Sequence, residues 1–231
     1  MGLCLLMALA TIACDETLRR LAPGRAESPT PKDILAAEVP PDRLAQLLAQ
    51  VTPVQGVDRA AAMAVGSLPI ARQNAASAPR VWIAARAVSP EYFDTLGIGI
   101  VTGRRFVAQD VESTPFVAIV SESYARAAGN RPDLIGSRLV LADDLAPPTV
   151  VGVIQDWPLG EGVAEIYVPL AQRILAQRTL ARSRAPGDRA AGWRGCLLAR
   201  VAADREATAA RLQGIVGAPF RPLSQWEGVR E

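Results

Sequence analysis

The chain has 231 residues, 50% of them hydrophobic and 21% charged, with a net charge of +2. This composition is globular rather than disordered, long enough for one large domain or two small ones, and gives no electrostatic reason to expect a nucleic-acid partner. Histidine is absent and the single lysine, Lys32, follows Thr30-Pro31, which excludes Ser-His-Asp and Cys-His catalysis, His-ligated zinc or haem, HExxH metalloproteases and a P-loop ATPase.

Gly2 to Cys14 reads GLCLLMALATIAC, with no charge before Asp15. As a helix it reaches about 20 Å, short of the roughly 30 Å hydrocarbon core of a bilayer. It is read as the outer half of a transmembrane helix continued by Asp15 to Leu21, or as a lipoprotein leader that anchors the chain through Cys14. Residues 22–32, with three prolines and a glycine, form a linker.

Ile34 to Val39 predicts a short strand. Leu44, Leu47, Leu48 and Val51 then make an i, i+3, i+4, i+7 stripe, predicting an amphipathic helix from Asp42 to Val51. A strand from Gly56-Val57 to about Val65, ended at Ser67-Leu68-Pro69, completes a β-α-β unit. After loop-like residues 71–79, Val81 to Val88 is a strand. Ser89 is expected as the N-cap, with Pro90 at the first turn, of a short helix bearing Tyr92, Phe93 and Leu96 and stopped by Gly97.

Phe116 to Val120 is a buried strand, and Ser121 caps a helix that ends at Gly129-Asn130. Arg138 to Leu141 and Thr149 to Ile154 are strands separated by the acidic turn Asp143-Asp144, and Glu165 to Pro169 is another. A helix begins near Leu170. Residues 173–194 carry six arginines against one acid, Asp188: a solvated face and loop, or a surface for anionic headgroups or an acidic partner. Cys196 to Val201 is a strand, Asp204 to Val216 a capped helix, and Pro219 to Glu231 an irregular tail or a final strand. The fold class is α+β.

Few residues invite chemistry. Gly97-x-Gly99-x-x-x-Gly103 is one residue off the dinucleotide fingerprint and follows a helix instead of a strand, so it is read as turn glycines. Ser121 has no base to activate it and is read as a cap. Asp143-Asp144 lacks a third ligand, and Tyr92 and Phe93 are core residues before they are an exposed anchor. Cys4, Cys14 and Cys196 form no CxxC pair and are read as free thiols. No residue is assigned a catalytic, cofactor-binding or metal-binding role. Pro90, Tyr92, Phe93, Gly97 and Gly136 are expected to define the fold.

Val88-Ser89-Pro90-Glu91-Tyr92-Phe93-Asp94-Thr95-Leu96-Gly97-Ile98, followed by Gly103-Arg104-Arg105-Phe106, resembles the MacB-like periplasmic core domain of FtsX-like ABC-transporter permeases. Further pieces follow in that family's order: Pro115 to Glu122, Asp133 to Leu139, Val150 to Asp156, and Glu165 to Leu170. Val54 to Ile70 and Leu197 to Val216 also fit, so that the resemblance spans roughly residues 33–228. It is nearest to the second copy in permeases that carry two such domains. Asn130-Arg131-Pro132 departs from the family's usual aromatic-Pro-Gly turn, and the arginine-rich stretch is also atypical.

The resemblance implies a porter-like β-α-β subdomain from residues 33–86 and 195–231, with a second α+β subdomain, 87–194, inserted between them. It implies a non-enzymatic domain on the periplasmic side of the inner membrane that relays ATPase-driven motion to a substrate or partner. The partners it implies are the membrane, an ABC ATPase subunit, and further permease helices or a second permease copy in a dimeric assembly, with no cofactor. The family's three further transmembrane helices have no counterpart in the sequence, so a truncated gene product, a split permease or a domain repurposed as a membrane-tethered subunit is expected. The alternative is a secreted or Cys14-anchored binding protein.

Overall fold

The computed structural model describes residues 33–70, 81–110, 114–139, 147–156, 165–172, 193–202 and 204–225. The N-terminal apolar segment, the linker, Asp143-Asp144 and most of the arginine-rich stretch lie outside the described residues. Among the described residues no helix is long and apolar enough to cross a membrane.

Among the described residues nine strands form one mixed sheet. They are β1 (Ile34–Val39), β2 (Val57–Ile70), β3 (Val81–Val88), β4 (Ile100–Gly103), β5 (Val117–Ser121), β6 (Thr149–Ile154), β7 (Glu165–Pro169), β8 (Arg194–Val201) and β9 (Arg221–Pro222). The spatial order is β4-β6-β5-β7-β3-β2-β8-β1-β9. The helices are α1 (Leu44–Val51), α2 (Tyr92–Leu96), α3 (Glu122–Ala127) and α4 (Arg205–Val216).

The first β-α-β unit is split. β1 and β2 each pair antiparallel with β8, which lies between them, so the chain's last third completes the unit that its first third opens. One half of the sheet therefore holds strands from residues 34–88 and 194–222, and the other holds strands from residues 100–169. The halves meet where β3 pairs parallel with β7, from Ala84↔Glu165 to Val88↔Pro169.

Both faces of the central strands are covered, which explains their near-continuous apolar sequence. On one face, Leu44, Leu47 and Val51 of α1 and Leu212 and Val216 of α4 pack over Leu35, Ala37, Ala60, Ala62, Ala64, Ala85, Ala87, Leu197 and Ala199. The alanines leave room for the helices' larger side chains. On the opposite face, Tyr92, Phe93 and Leu96 of α2 join Ile34, Met63, Val88, Phe106, Ile119, Tyr167, Cys196 and Leu198.

Three expectations need correction. The second strand does not stop before Ser67-Leu68-Pro69 but continues through them to Ile70, because the hairpin partner β3 pairs with it as far as Ile70↔Val81. Ser89 does not cap α2: the N-cap is Glu91, and the Ser89 hydroxyl is engaged across the sheet by the Ala62 amide at 3.2 Å. The strand expected from Arg138 is, among the described residues, a single bridge, Arg138↔Thr149. Past Leu170 only the 3-10 turn Leu170–Gln172 is described.

Ser121 does cap α3, accepting from the Tyr124 amide at 3.2 Å, and Asp204 caps α4, accepting from the Ala207 amide at 3.2 Å. Gly97 ends α2 in the left-handed region (φ 68°). Gly103 (φ 79°) sits where an added Cβ would lie 2.3 Å from the Val151 carbonyl oxygen. Gly97 is thus a stop glycine as expected, whereas Gly103 is not in a turn but closes β4 opposite Gly152.

Candidate functional site

The parallel pair β3–β7 buries charge. Arg86 lies in an otherwise apolar strand, on the same pleat face as Val88, and only 8% of it is exposed. Glu165, the first residue of β7, is 5% exposed. Arg86 Nε and Nη2 donate to Glu165 Oε1 at 3.0 and 2.6 Å. The Tyr167 hydroxyl donates to Oε2 of the same carboxylate.

The Glu165 amide donates to Ser121 Oγ at 3.0 Å. One hydroxyl thus serves as the cap of α3 and as an anchor for β7. The Tyr92, Phe93 and Tyr167 rings enclose the cluster, with the Phe93 and Tyr167 centroids 5.3 Å apart and the Tyr92 and Phe93 centroids 5.4 Å apart.

The electrostatics follow from this enclosure. Burial disfavours the charge on Arg86, but Tyr92, Glu165 and Tyr167 outweigh it, and the guanidinium pKa rises. Burial pushes the Tyr92 and Tyr167 phenols and the Cys196 thiol above their ordinary ranges. A neutral thiol sealed in the core is inert, so Cys196 is a packing residue.

Two further ion pairs lock the loops around the seam. Arg104 binds Asp110 through two hydrogen bonds of 2.8 and 3.0 Å, and the Val107 amide adds a third at 2.9 Å. Asp156 accepts from the Ser123 amide and hydroxyl, both at 2.8 Å, and from Arg126 at 2.6 Å. Burial alone would raise both carboxyl pKa values. The hydrogen bonds prevail and hold both below the ordinary 3.8. Arg200 of β8 donates to the Thr95 and Asp94 carbonyls at 2.9 Å, satisfying the end of α2.

A cleft of about 420 Å³ opens beside the C-terminal ends of β3 and β7. One wall is α1, through Leu44, Ala45 and Leu48. The other is formed by Val107, Ala108 and Asp110 with Pro169, Leu170 and Ala171. Ser89, Pro90 and Glu91 lie between the walls.

Of the residues singled out in the sequence, Tyr92 and Phe93 come together in the core at the seam, and Pro90 lines the cleft. Gly136 turns the chain elsewhere (φ 84°). Ser121 is an anchor, its Oγ accepting from both the Tyr124 and the Glu165 amides. Among the described residues no group of three or more His, Cys, Asp or Glu side chains is placed to hold a metal. Sequence reasoning missed Arg86 and Glu165. The signal was present: a charge inside each of two strands, Val81 to Val88 and Glu165 to Pro169, that are otherwise apolar at the pairing positions.

The sequence profile of the MacB-like periplasmic core domain matches residues 9–215. No curated protein matches the chain significantly. Among solved structures, the periplasmic region of MacB from Actinobacillus actinomycetemcomitans is 14% identical, with a TM-score of 0.57 over 83% of this chain and 89% of that one. The extracellular domain of the noncanonic ABC-type transporter YknZ from Gram-positive bacteria is 18% identical, with a TM-score of 0.55 over 81% and 97%. A domain of a putative permease from Porphyromonas gingivalis is 17% identical, with a TM-score of 0.55 over 85% and 93%. At these identities the three structures establish the shared fold.

Proposed function

The chain belongs to the MacB-like periplasmic core domain family of FtsX-like ABC-transporter permeases, and from that premise we propose that it is a non-catalytic relay, held at the outer face of the inner membrane. In this reading an ATPase subunit drives membrane helices, which move one half of the sheet. The β3–β7 seam carries that motion to the other half and alters the cleft between them. The two halves act as the subdomains 33–86 with 195–231, and 87–194; the boundary at 86/87 falls inside β3 (Val81–Val88).

The observation that supports the reading best is the seam. Two sequence-distant halves share one sheet, joined at five parallel residue pairs and pinned by a buried Arg86–Glu165 ion pair. A seam that keeps its pairing while the sheet twists about it passes displacement from one half to the other and changes the spacing of the cleft walls, which two domains on a flexible linker would not do. The reading requires the membrane, an ABC ATPase, and further permease helices or a second permease copy as partners, and no cofactor.

Two measurements test it. A periplasm-active phosphatase fused after Glu231 is expected to be active in the membrane pellet; a cytoplasm-fluorescent fusion in the soluble fraction overturns the location. In the membrane complex purified with its ATPase, ATP is expected to change amide exchange in α1 and in β7. Exchange identical with and without ATP overturns the relay.

A further inference from the structure

We propose that the cleft beside the seam is a docking groove for a basic, apolar segment of a protein partner, seated against both halves of the sheet at once. The inference rests on the relay reading and names the chemistry of what that relay engages. The walls are apolar: half-buried Leu48 and Leu170 and the 43% exposed Val107 line the cleft, backed by the sealed Leu44. An apolar surface left open in this way is completed by an apolar occupant. A volume of about 420 Å³ admits a few side chains, not a folded domain, so the occupant is a segment.

Charge selects among apolar segments. Three carboxylates, Asp42, Glu91 and Asp110, line the cleft, and among the described residues no lysine or arginine does. Asp110 is already matched by Arg104. Asp42 and Glu91 are exposed and make no ion pair among the described residues. An acidic segment is repelled there and a basic one attracted. Ser89, 3% exposed, accepts from the Ala62 amide and donates its own proton to no group among the described residues, leaving a donor for a backbone carbonyl of the segment. α1 belongs to one half of the sheet, while Val107–Asp110 and Pro169–Ala171 belong to the other, so an occupant contacting both walls is gripped or released as the halves move.

The test uses the full chain in phosphatidylcholine nanodiscs. The probe is a 12-residue Leu/Arg/Ala peptide with benzophenone at one Leu position, compared with Leu/Glu/Ala and Gln/Arg/Ala counterparts. Mass spectrometry is expected to place the cross-links of the Leu/Arg peptide on α1 and on Val107–Asp110 or Pro169–Ala171. The Asp42→Lys, Glu91→Lys double variant is expected to cut the yield about tenfold at low salt, and Val107→Asp by a similar factor. These are exposed positions, and an unchanged unfolding midpoint confirms the fold of each variant.

Scattered cross-links, equal yield from the Leu/Glu peptide, or indifference to the double reversal each overturns the proposal. So does a cleft found occupied by a second copy of the chain. The two readings fail separately. Lost docking with the ATP-dependent exchange intact removes the groove alone; docking without that exchange removes the relay alone.

Discussion

Removing one member of the Arg86–Glu165 pair is expected to damage the protein far more than removing the whole cluster. Both side chains are nearly sealed, at 9% and 6% side-chain exposure, so Glu165→Gln leaves a buried guanidinium without its counter-charge, and Arg86→Met does the same to the carboxylate. Each single variant should cost about 3–5 kcal/mol. With a urea slope of about 2–3 kcal/mol per molar, the unfolding midpoint falls by roughly 1–2.5 M. The triple variant Arg86→Met, Glu165→Leu, Tyr167→Phe removes both charges and the hydroxyl that donates to Glu165. It should lie within about 1 kcal/mol of the parent or above it, because well-packed apolar replacements avoid the desolvation cost of the ions. Urea unfolding followed by tryptophan fluorescence measures all three. Single variants that lose less than about 1 kcal/mol, or a triple variant as unstable as the singles, would show that the pair is not sealed from solvent and refute the reasoning.

The same burial sets the alkaline limit. Tyr92, Tyr167 and Cys196 stay protonated in the folded state above their ordinary values of 10.0 and 9.0, so the unfolded chain releases protons first. Stability is therefore full below about pH 9 and falls above it, by up to about 1.4 kcal/mol per pH unit for each ionising group; a flat profile from pH 9 to 11 in thermal unfolding contradicts it. Asp110 and Asp156 act in the opposite direction. Their folded pKa values lie below 3.8, so their contribution is full above the unfolded value and lost as pH falls through the folded one. Asp156→Asn should cost about 1–3 kcal/mol at neutral pH and flatten the acid limb below about pH 4. Gly103→Ala should cost about 2–4 kcal/mol, since its Cβ would meet the Val151 oxygen at 2.3 Å. Gly136→Ala, with open space around it, should cost only the strain of a positive φ, about 1 kcal/mol. Equal losses at the two glycines would remove the clash as the cause.

Local signals in the sequence were reliable where one element determined them. The apolar stripe of α1, the Ser121 and Asp204 caps and the Gly97 stop each depend on a few neighbouring residues, and each stands in the structure. What depends on a distant strand was not legible. β2 runs past Pro69 because β3 pairs with it there. Ser89 looked like a cap from its neighbours, yet Ala62, in the adjoining strand, takes its hydroxyl. The cleft joins segments from residues 41–48, 89–91, 107–110 and 169–171, and no periodicity in the sequence predicts their meeting.

The seam shows why a charged pair belongs there despite its desolvation cost. Apart from Arg86 and Tyr167, β3 and β7 present runs of interchangeable apolar residues, Ala84 to Val88 against Ile166 to Pro169. A parallel pair of this kind tolerates a slip of two residues, which keeps each side chain on its face while shifting it by about 6.6 Å. Such a slip would part Arg86 from Glu165, now 2.6 Å apart, and would pull the Glu165 amide from Ser121. The apolar contacts hold the two halves together, and the ion pair sets their alignment. The triple apolar variant should therefore keep its stability and lose its single register. The measurable sign is a second set of amide resonances at Ala84–Val88 and Glu165–Pro169. One sharp set in that variant would mean that packing alone fixes the alignment and that the pair is dispensable to the relay.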